Sequence, residues 1–226
     1  YGDHRDLHLS IRRQRQMCIR DSAYSNADFS EPHNLFVDLA LKFLVLQGNA
    51  SVLDVGIGDA DIAIRLVKKL PSISVTGFDG SLAMLDNARK KIQKEGLSNK
   101  ILYRHNLIKN KPFGKRKFDA IISNSVLHHV EKTSLFWSFI KDKMHRKSKF
   151  FVMDLLRPES IREAKSLIDK YAHNETEQLK RDFYNSLLAA YTLDEVKDQL
   201  KKNHFLKCHV DQITDRHFVV FGDMFA

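Results

Sequence analysis

Short apolar runs alternate along this chain with longer stretches in which apolar residues recur every three or four positions. The first pattern marks strands, the second helices with one buried face. "ASVLDV" (50–55), "SISVTGFD" (72–79), "KILYRHN" (100–106), "KFDAIISNS" (117–125) and "KFFVMDLL" (149–156) read as five strands, the first of the buried kind. A helix over about 30–46 precedes them, with Phe36, Leu39, Ala40 and Phe43 at helical spacing. Residues 60–70 read as a helix stopped before Pro71, and 81–96 as one that Ser81 caps and Gly96 ends. A further helix follows the fourth strand through about Met144.

After residue 157 the rhythm changes. Residues 158–190 read as two consecutive helical stretches, started by Pro158 and broken near Asn174. The next helix opens with a capping box, Thr192 with Glu195, and runs to about Lys202. "FLKCHVDQITDRHFVVFG" reads as two strands around a turn at Thr214–Asp215, too tight to be anything but antiparallel. Strands joined by helical crossovers form parallel sheets covered on both faces. The predicted fold is therefore α/β: a seven-stranded, mostly parallel sheet with a C-terminal antiparallel hairpin and helices on both faces. One domain over 23–226 is expected, with a helical cap insertion at 157–190.

Composition adjusts this picture only at its margins. A chain of 226 residues with 43% hydrophobic content can bury one sizeable core. The formal charge of +9 favours an anionic partner weakly, since a lysine-rich solvated face also accounts for it. Five arginines lie in residues 1–22, where "RRQRQMCIRDS" (12–22) resembles translated adapter sequence rather than part of a folded domain. The rival reading is a basic arm for nucleic acid. Cys18 and Cys208 form neither a metal-ligand spacing nor a disulfide framework, as expected for a cytoplasmic protein. No apolar run approaches the ~20 residues that span a bilayer.

The chemistry concentrates in "VLDVGIGDADIAIRL" (52–66), a strand, a glycine loop and a helix start. A dinucleotide fold places a third glycine or an alanine where this loop has Asp61. Asp59 and Asp61 sit where helix-start amides would otherwise receive a pyrophosphate, and two carboxylates there would repel it. The loop fits better a ligand with adenosine, no phosphate and positive charge.

That loop, together with "GFDGSLAML", "RHNL" and "IISNSVLHHV" in this order, resembles the class I S-adenosylmethionine-dependent methyltransferases, which are Rossmann-like. The resemblance covers roughly residues 30–222 and implies S-adenosyl-L-methionine as cofactor. In that family the acid opening the glycine motif helps hold the amino-acid end of the cofactor, a position taken here by Asp54. Gly56, Ile57 and Gly58 would form the loop against the ligand, with Ala60 where many members have another glycine. Asp79 would accept the ribose hydroxyls, although Asp79–Gly80 is also a turn-forming pair. Gly80, Ser81 and Met84 would lie beside the adenine, Met84 being otherwise core filler. Asn106, where an aspartate is frequent, would accept from the adenine amino group, with Leu107 beside it and Asn124 completing the set.

Methyl transfer from a sulfonium is an in-line displacement, so alignment of the acceptor matters most and a base is needed only when the acceptor loses a proton. His128 or His129 would be that base, or both merely pack at the helix start. Arg157, Tyr184, Asn185 and His217 are candidates for the acceptor pocket, with Asp182 and Arg216 nearby in sequence; surface pairing is the alternative for each. "RDFYNSLLAAYTLDEV" and "DRHFVV" resemble the C-terminal part of a bacterial subgroup of these enzymes. No N-P-P-[YF] signature or catalytic-cysteine motif is present, which disfavours base methylation. The reading is methyl transfer to a small-molecule acceptor. The alternatives are an RNA or tRNA methyltransferase, suggested by "KNKPFGKRK" (109–117), and a protein that binds the cofactor without catalysis. No metal and no membrane partner are implied, and the sequence does not fix the oligomeric state.

Overall fold

A computed structural model describes residues 29–205 and 207–223. The suspect segment 1–22, with Cys18, lies outside the described residues. In chain order the elements are α1 (Ser30–Leu44), β1 (Ser51–Val55), α2 (Asp61–Lys69), β2 (Ser74–Asp79), α3 (Leu82–Lys94), β3 (Ile101–His105) and β4 (Phe118–Asn124). Then come α4 (Thr133–Lys143), β5 (Met144–Leu155), α5 (Ile161–Tyr171), α6 (Glu177–Ala189), α7 (Leu193–Lys202), β6 (Cys208–Gln212) and β7 (His217–Asp223).

The sheet runs β3-β2-β1-β4-β5-β7-β6. β1 to β5 pair in parallel, while β7 is antiparallel to both β5 and β6. The expected fold class is the one found. Side chains alternate between two cores: Val52, Phe151 and Met153 face α1, α2 and α3, whereas Leu53, Phe150 and Val152 face α4 and α7. Because β7 is reversed, its amino end lies beside the carboxyl end of β5, with Leu155 opposite His217. That edge, where β1, β2 and β4 also end, is where open α/β sheets bind ligands.

Several boundaries differ from the sequence reading. β5 begins at Met144 rather than 149: its register against β4 jumps from Phe118↔Met144 to Ala120↔Lys149. Buried Ser148 holds the irregular part, accepting from His145 N (2.8 Å) and donating to Phe118 O (2.6 Å). The helix expected directly after β4 is split into a 3-10 turn, Leu127–His129, and α4. The cap starts at Ser160, whose hydroxyl accepts from Glu163 N, and not at Pro158. Ser81 caps α3 and the Thr192–Glu195 box opens α7, both as expected. A third small core, Leu155, Leu167, Leu187 and Ala190, seats α5 and α6 over the ligand edge.

Candidate active site

Two loops after β1 and β2 build one half of this edge. Gly56 and Ile57 both donate to Phe78 O, at 3.0 and 3.1 Å, which folds the glycine loop onto the end of β2. Gly56 takes φ +79° and lies so close to β4's following segment that a Cβ would stand 2.3 Å from Val126 Cγ2. Gly77, inside β2, is a position the motif reading missed: a Cβ there would stand 2.6 Å from Ile57 Cδ1. A glycine within a strand run was the available signal, since it marks a close approach of backbone.

Asp79 Oδ2 accepts from Gly58 N (2.9 Å) and Oδ1 from Ser81 N (2.8 Å), so this carboxylate shapes both loops. These two bonds meet the turn role read from Asp79–Gly80. Met84 stands against Gly58, its Cε 3.3 Å from where a Cβ would be. Asn106 Oδ1 accepts from Leu107 N (2.8 Å), and Leu107 lies over Gly80.

Asp54 ends up inside this half, 4% exposed. Burial, and secondarily the charge of Asp79, push its pKa up to about 8. Among the described residues its carboxylate has no hydrogen-bond or ion-pair partner. Asn124 Oδ1, at the end of the neighbouring β4, is a second buried polar atom with no partner.

Asp59 and Asp61 behave otherwise than the sequence suggested. Asp59 Oδ2 accepts from Lys91 Nζ (2.6 Å), and Asp61 Oδ2 meets Arg65 Nε (2.6 Å) and His33 Nδ1 (2.7 Å). Burial would raise the pKa of Asp61, yet His33 and Arg65 outweigh it and hold the acid well below the usual range. Each carboxylate is thus neutralised locally, so these two acids do not supply the negative charge that their place in the sequence suggested against a pyrophosphate.

The other half is formed by the ends of β4, β5 and β7. His128 (2% exposed) places Nδ1 2.5 Å from Asp154 Oδ1. Asp154 (1% exposed) also accepts from Leu127 N and Leu155 N, each at 2.7 Å. The sequence reading missed Asp154, because one acid in "KFFVMDLL" looks like a strand end. His129 is exposed, with its ring centroid 4.0 Å from that of His128. His217 is buried beside Asp154 and bonded to Thr214 Oγ1 (3.0 Å). Burial and the Arg216 charge lower its pKa to about 4 against the opposing pull of Asp154 and Asp215.

The remaining candidates separate from this cluster. Arg157 donates to Ala190 O and pairs with Glu195, tying the β5 end to the start of α7. Tyr184 lines an open groove of about 650 Å³ between α5 and α6, with Lys165, Asp169 and Arg181. Asn185 is half-buried on the same helix. In the basic loop 109–117, Phe113 packs edge-on to Phe78 and Phe118 beneath the Arg104 guanidinium, so its ring is half-buried and one face is occupied.

Residues 52–147 match the family described as a methyltransferase domain. A demethylmenaquinone methyltransferase of Porphyromonas gingivalis is 30% identical over 112 residues, 49% of this chain and 46% of the relative. An uncharacterized methyltransferase of Mycobacterium tuberculosis is 31% identical over 100 residues, 44% of this chain and 48% of the relative. The chain therefore spans about half the length of the curated relatives it matches. Among solved structures, the plantazolicin methyltransferase BpumL, complexed with a triazolic desmethylPZN analog and SAH, superimposes with TM-score 0.75 at 15% identity, covering 98% of each chain. That likeness establishes the fold.

Proposed function

We propose that this chain, whose residues 52–147 match a methyltransferase domain family, is a class I methyltransferase that binds S-adenosylmethionine and methylates a small-molecule acceptor. The observation that carries the proposal is Asp54: a buried acid beside Asp79, without a partner among the described residues and with its pKa raised to about 8. Such a group is costly in the free protein and is relieved by a cation without phosphates. Asp54 would hold the cofactor's ammonium, with the orphaned Asn124 Oδ1 as a neighbouring acceptor. Gly56, Ile57 and Gly58 would supply the surface against which the ligand lies, and Asp79 the ribose contacts. Ser81, Met84, Asn106 and Leu107 would border the adenine, above Gly80. The bound cofactor supplies an activated methyl carbon; the chain's part is to hold it in line with an acceptor and keep water out.

A small acceptor agrees with the relatives, one named for demethylmenaquinone and one solved with a plantazolicin analog. It also agrees with the half-buried ring of Phe113, packed on Phe78 and under Arg104, as the one aromatic in the basic loop. Calorimetric titration with S-adenosylmethionine, S-adenosylhomocysteine and NAD tests the reading. Binding of the first two, refusal of NAD, and loss of binding in a folded Asp54→Asn variant are expected. Failure of both adenosyl ligands to bind the folded wild type would sink the cofactor assignment. Tight, salt-steep RNA binding would overturn the small-molecule acceptor.

A further inference from the structure

We infer that β6 pairs antiparallel with β6 of a second copy of this chain, about a two-fold axis at Val210, so that two sheets join into one. The inference goes beyond the proposed function and does not depend on it. Among the described residues, β6 has β7 on one side and no strand on the other. Such an edge templates further pairing unless a proline, a lysine or a bulge blocks it. The strand "CHVDQ" (208–212) has none of these and follows β7 in unbroken register.

The hairpin decides which backbone groups face outward. Ile213 N–H donates to His217 O (3.0 Å), so Ile213 directs its backbone at β7. Bonding direction alternates along an antiparallel strand, which turns Asp211 and His209 towards β7 as well. Cys208, Val210 and Gln212 therefore aim their N–H and C=O groups away from the sheet. A two-fold axis keeps each face of a joined sheet continuous only when it passes through a residue of the strand. At Val210 it opposes all three outward residues, Val210 to Val210 and Cys208 to Gln212. An axis at His209 leaves Gln212 opposite no residue of β6, and one at Asp211 sets two carboxylates face to face.

The side chains agree with this register. His209 stacks on Phe221 (ring centroids 4.9 Å), which stacks in turn on Phe43 of α1 (3.8 Å), so His209 lies on the α1 face. Asp211, two residues on, shares that face, and both are exposed. With the axis at Val210, His209 of each copy faces Asp211 of the other, so the strand is complementary in charge to itself. On the opposite face Val210, half-buried against the core below α7, meets its own copy. Cys208 faces Gln212, so no native thiol meets its equivalent. A five-residue strand pair buries little area, which makes the dimer weak and dependent on concentration. The axis stands perpendicular to the sheet, so the two ligand edges point in opposite directions.

Sedimentation velocity of the full chain from about 10 µM to about 1 mM tests the pairing. A monomer–dimer equilibrium is expected, weakened about tenfold or more by Asp211→Lys, which sets a lysine against His209. Exchanging the pair, His209→Asp with Asp211→His, should restore it. The register is read by a single thiol: Val210→Cys, with Cys18→Ser and Cys208→Ser, should form a disulfide-linked dimer under mild oxidation. Opposed hydrogen-bonded residues stand ~5.5 Å apart between Cα atoms, within disulfide reach. Gln212→Cys in the same background should not link, because its equivalent lies ~13 Å further along the strand. A wild type that stays monomeric throughout, a dimer unmoved by Asp211→Lys, or one in which Gln212→Cys links as readily as Val210→Cys overturns the inference. If Asp211→Lys fails to fold, the two thiol variants decide alone. No arm uses a methyl donor, so the outcome is separate from that of the proposed function.

Discussion

The two halves of the ligand edge handle buried charge in opposite ways. On the β1–β2 side, Asp54 is enclosed with no counter-ion among the described residues and is driven towards its protonated form. On the β5–β7 side, Asp154 is just as deeply enclosed but carries three hydrogen bonds. The first arrangement leaves a vacancy in the charge balance that a bound cation fills. The second is complete within the protein and serves to orient a neighbour. Depth of burial alone therefore does not separate an acid that binds from an acid that positions; the partners do.

The sharpest way to break this comparison is to remove the satisfied acid. Asp154→Ala strands His128 and two amides in the interior and is expected to cost about 3–5 kcal/mol in urea unfolding. A loss below about 1 kcal/mol would mean that Asp154 is no better anchored than a surface carboxylate.

Next in size is the effect of pH on the unsatisfied acid. Folded Asp54 keeps its proton up to about pH 8, whereas the unfolded chain loses it near 3.8, so ligand-free stability falls as pH rises through that window. His217 works in the other direction: its folded value of about 4 lies below 6.5, so stability is lost as pH falls from 6.5 to 4. The two trends offset each other between 4 and 6.5. Between 6.5 and 8 only that of Asp54 remains, a fall of up to ~1.4 kcal/mol per pH unit. Asp54→Asn should flatten this fall and raise stability near pH 8, while abolishing cofactor binding. Urea titrations at pH 6.5 and 8 that show no difference in the wild type would remove the distinction between the halves.

The smallest expected effect lies in the cap. Tyr171 of α5 donates its hydroxyl to Asp215 (2.9 Å) in the turn before β7, and Arg216 stacks on its ring at 3.2 Å. Tyr171→Phe removes an exposed hydrogen bond and keeps the stacking, so a loss of about 0.5–1 kcal/mol is expected by the same urea method. A larger loss would mean that the cap and the β5–β7 half share more than this contact.

The sequence made the same comparison legible on one side only. The loops around Asp54 and Asp79 could be read because glycines and acids there break an apolar background at fixed spacing. The antiparallel terminal hairpin followed from the tight turn at Thr214–Asp215, whereas the strand order is seen only in the structure. Asp154 was invisible because its meaning comes from His128, 26 positions earlier, and nothing local reveals that contact. The same holds for Lys91, Arg65 and His33, whose pairing with Asp59 and Asp61 made two apparently free carboxylates neutral. The early start of β5 was hidden for another reason. "MHRKSK" lacks apolar alternation and is held as strand by Ser148 bridging to β4, a contact across the register jump.

Reversal of β7 also sets an order of events during synthesis. Residues up to Asn124 contain the glycine loop, Asp54, Asp79 and four strands of the parallel sheet, yet the core beneath them is completed by Phe151 and Met153 of β5 and Val219 of β7. The other side waits for His217, which arrives at the ligand edge only because the last strand runs backwards along β5. A ribosome that stalls before that strand would release a chain lacking both His217 at this edge and Val219 in the core beneath the glycine loop.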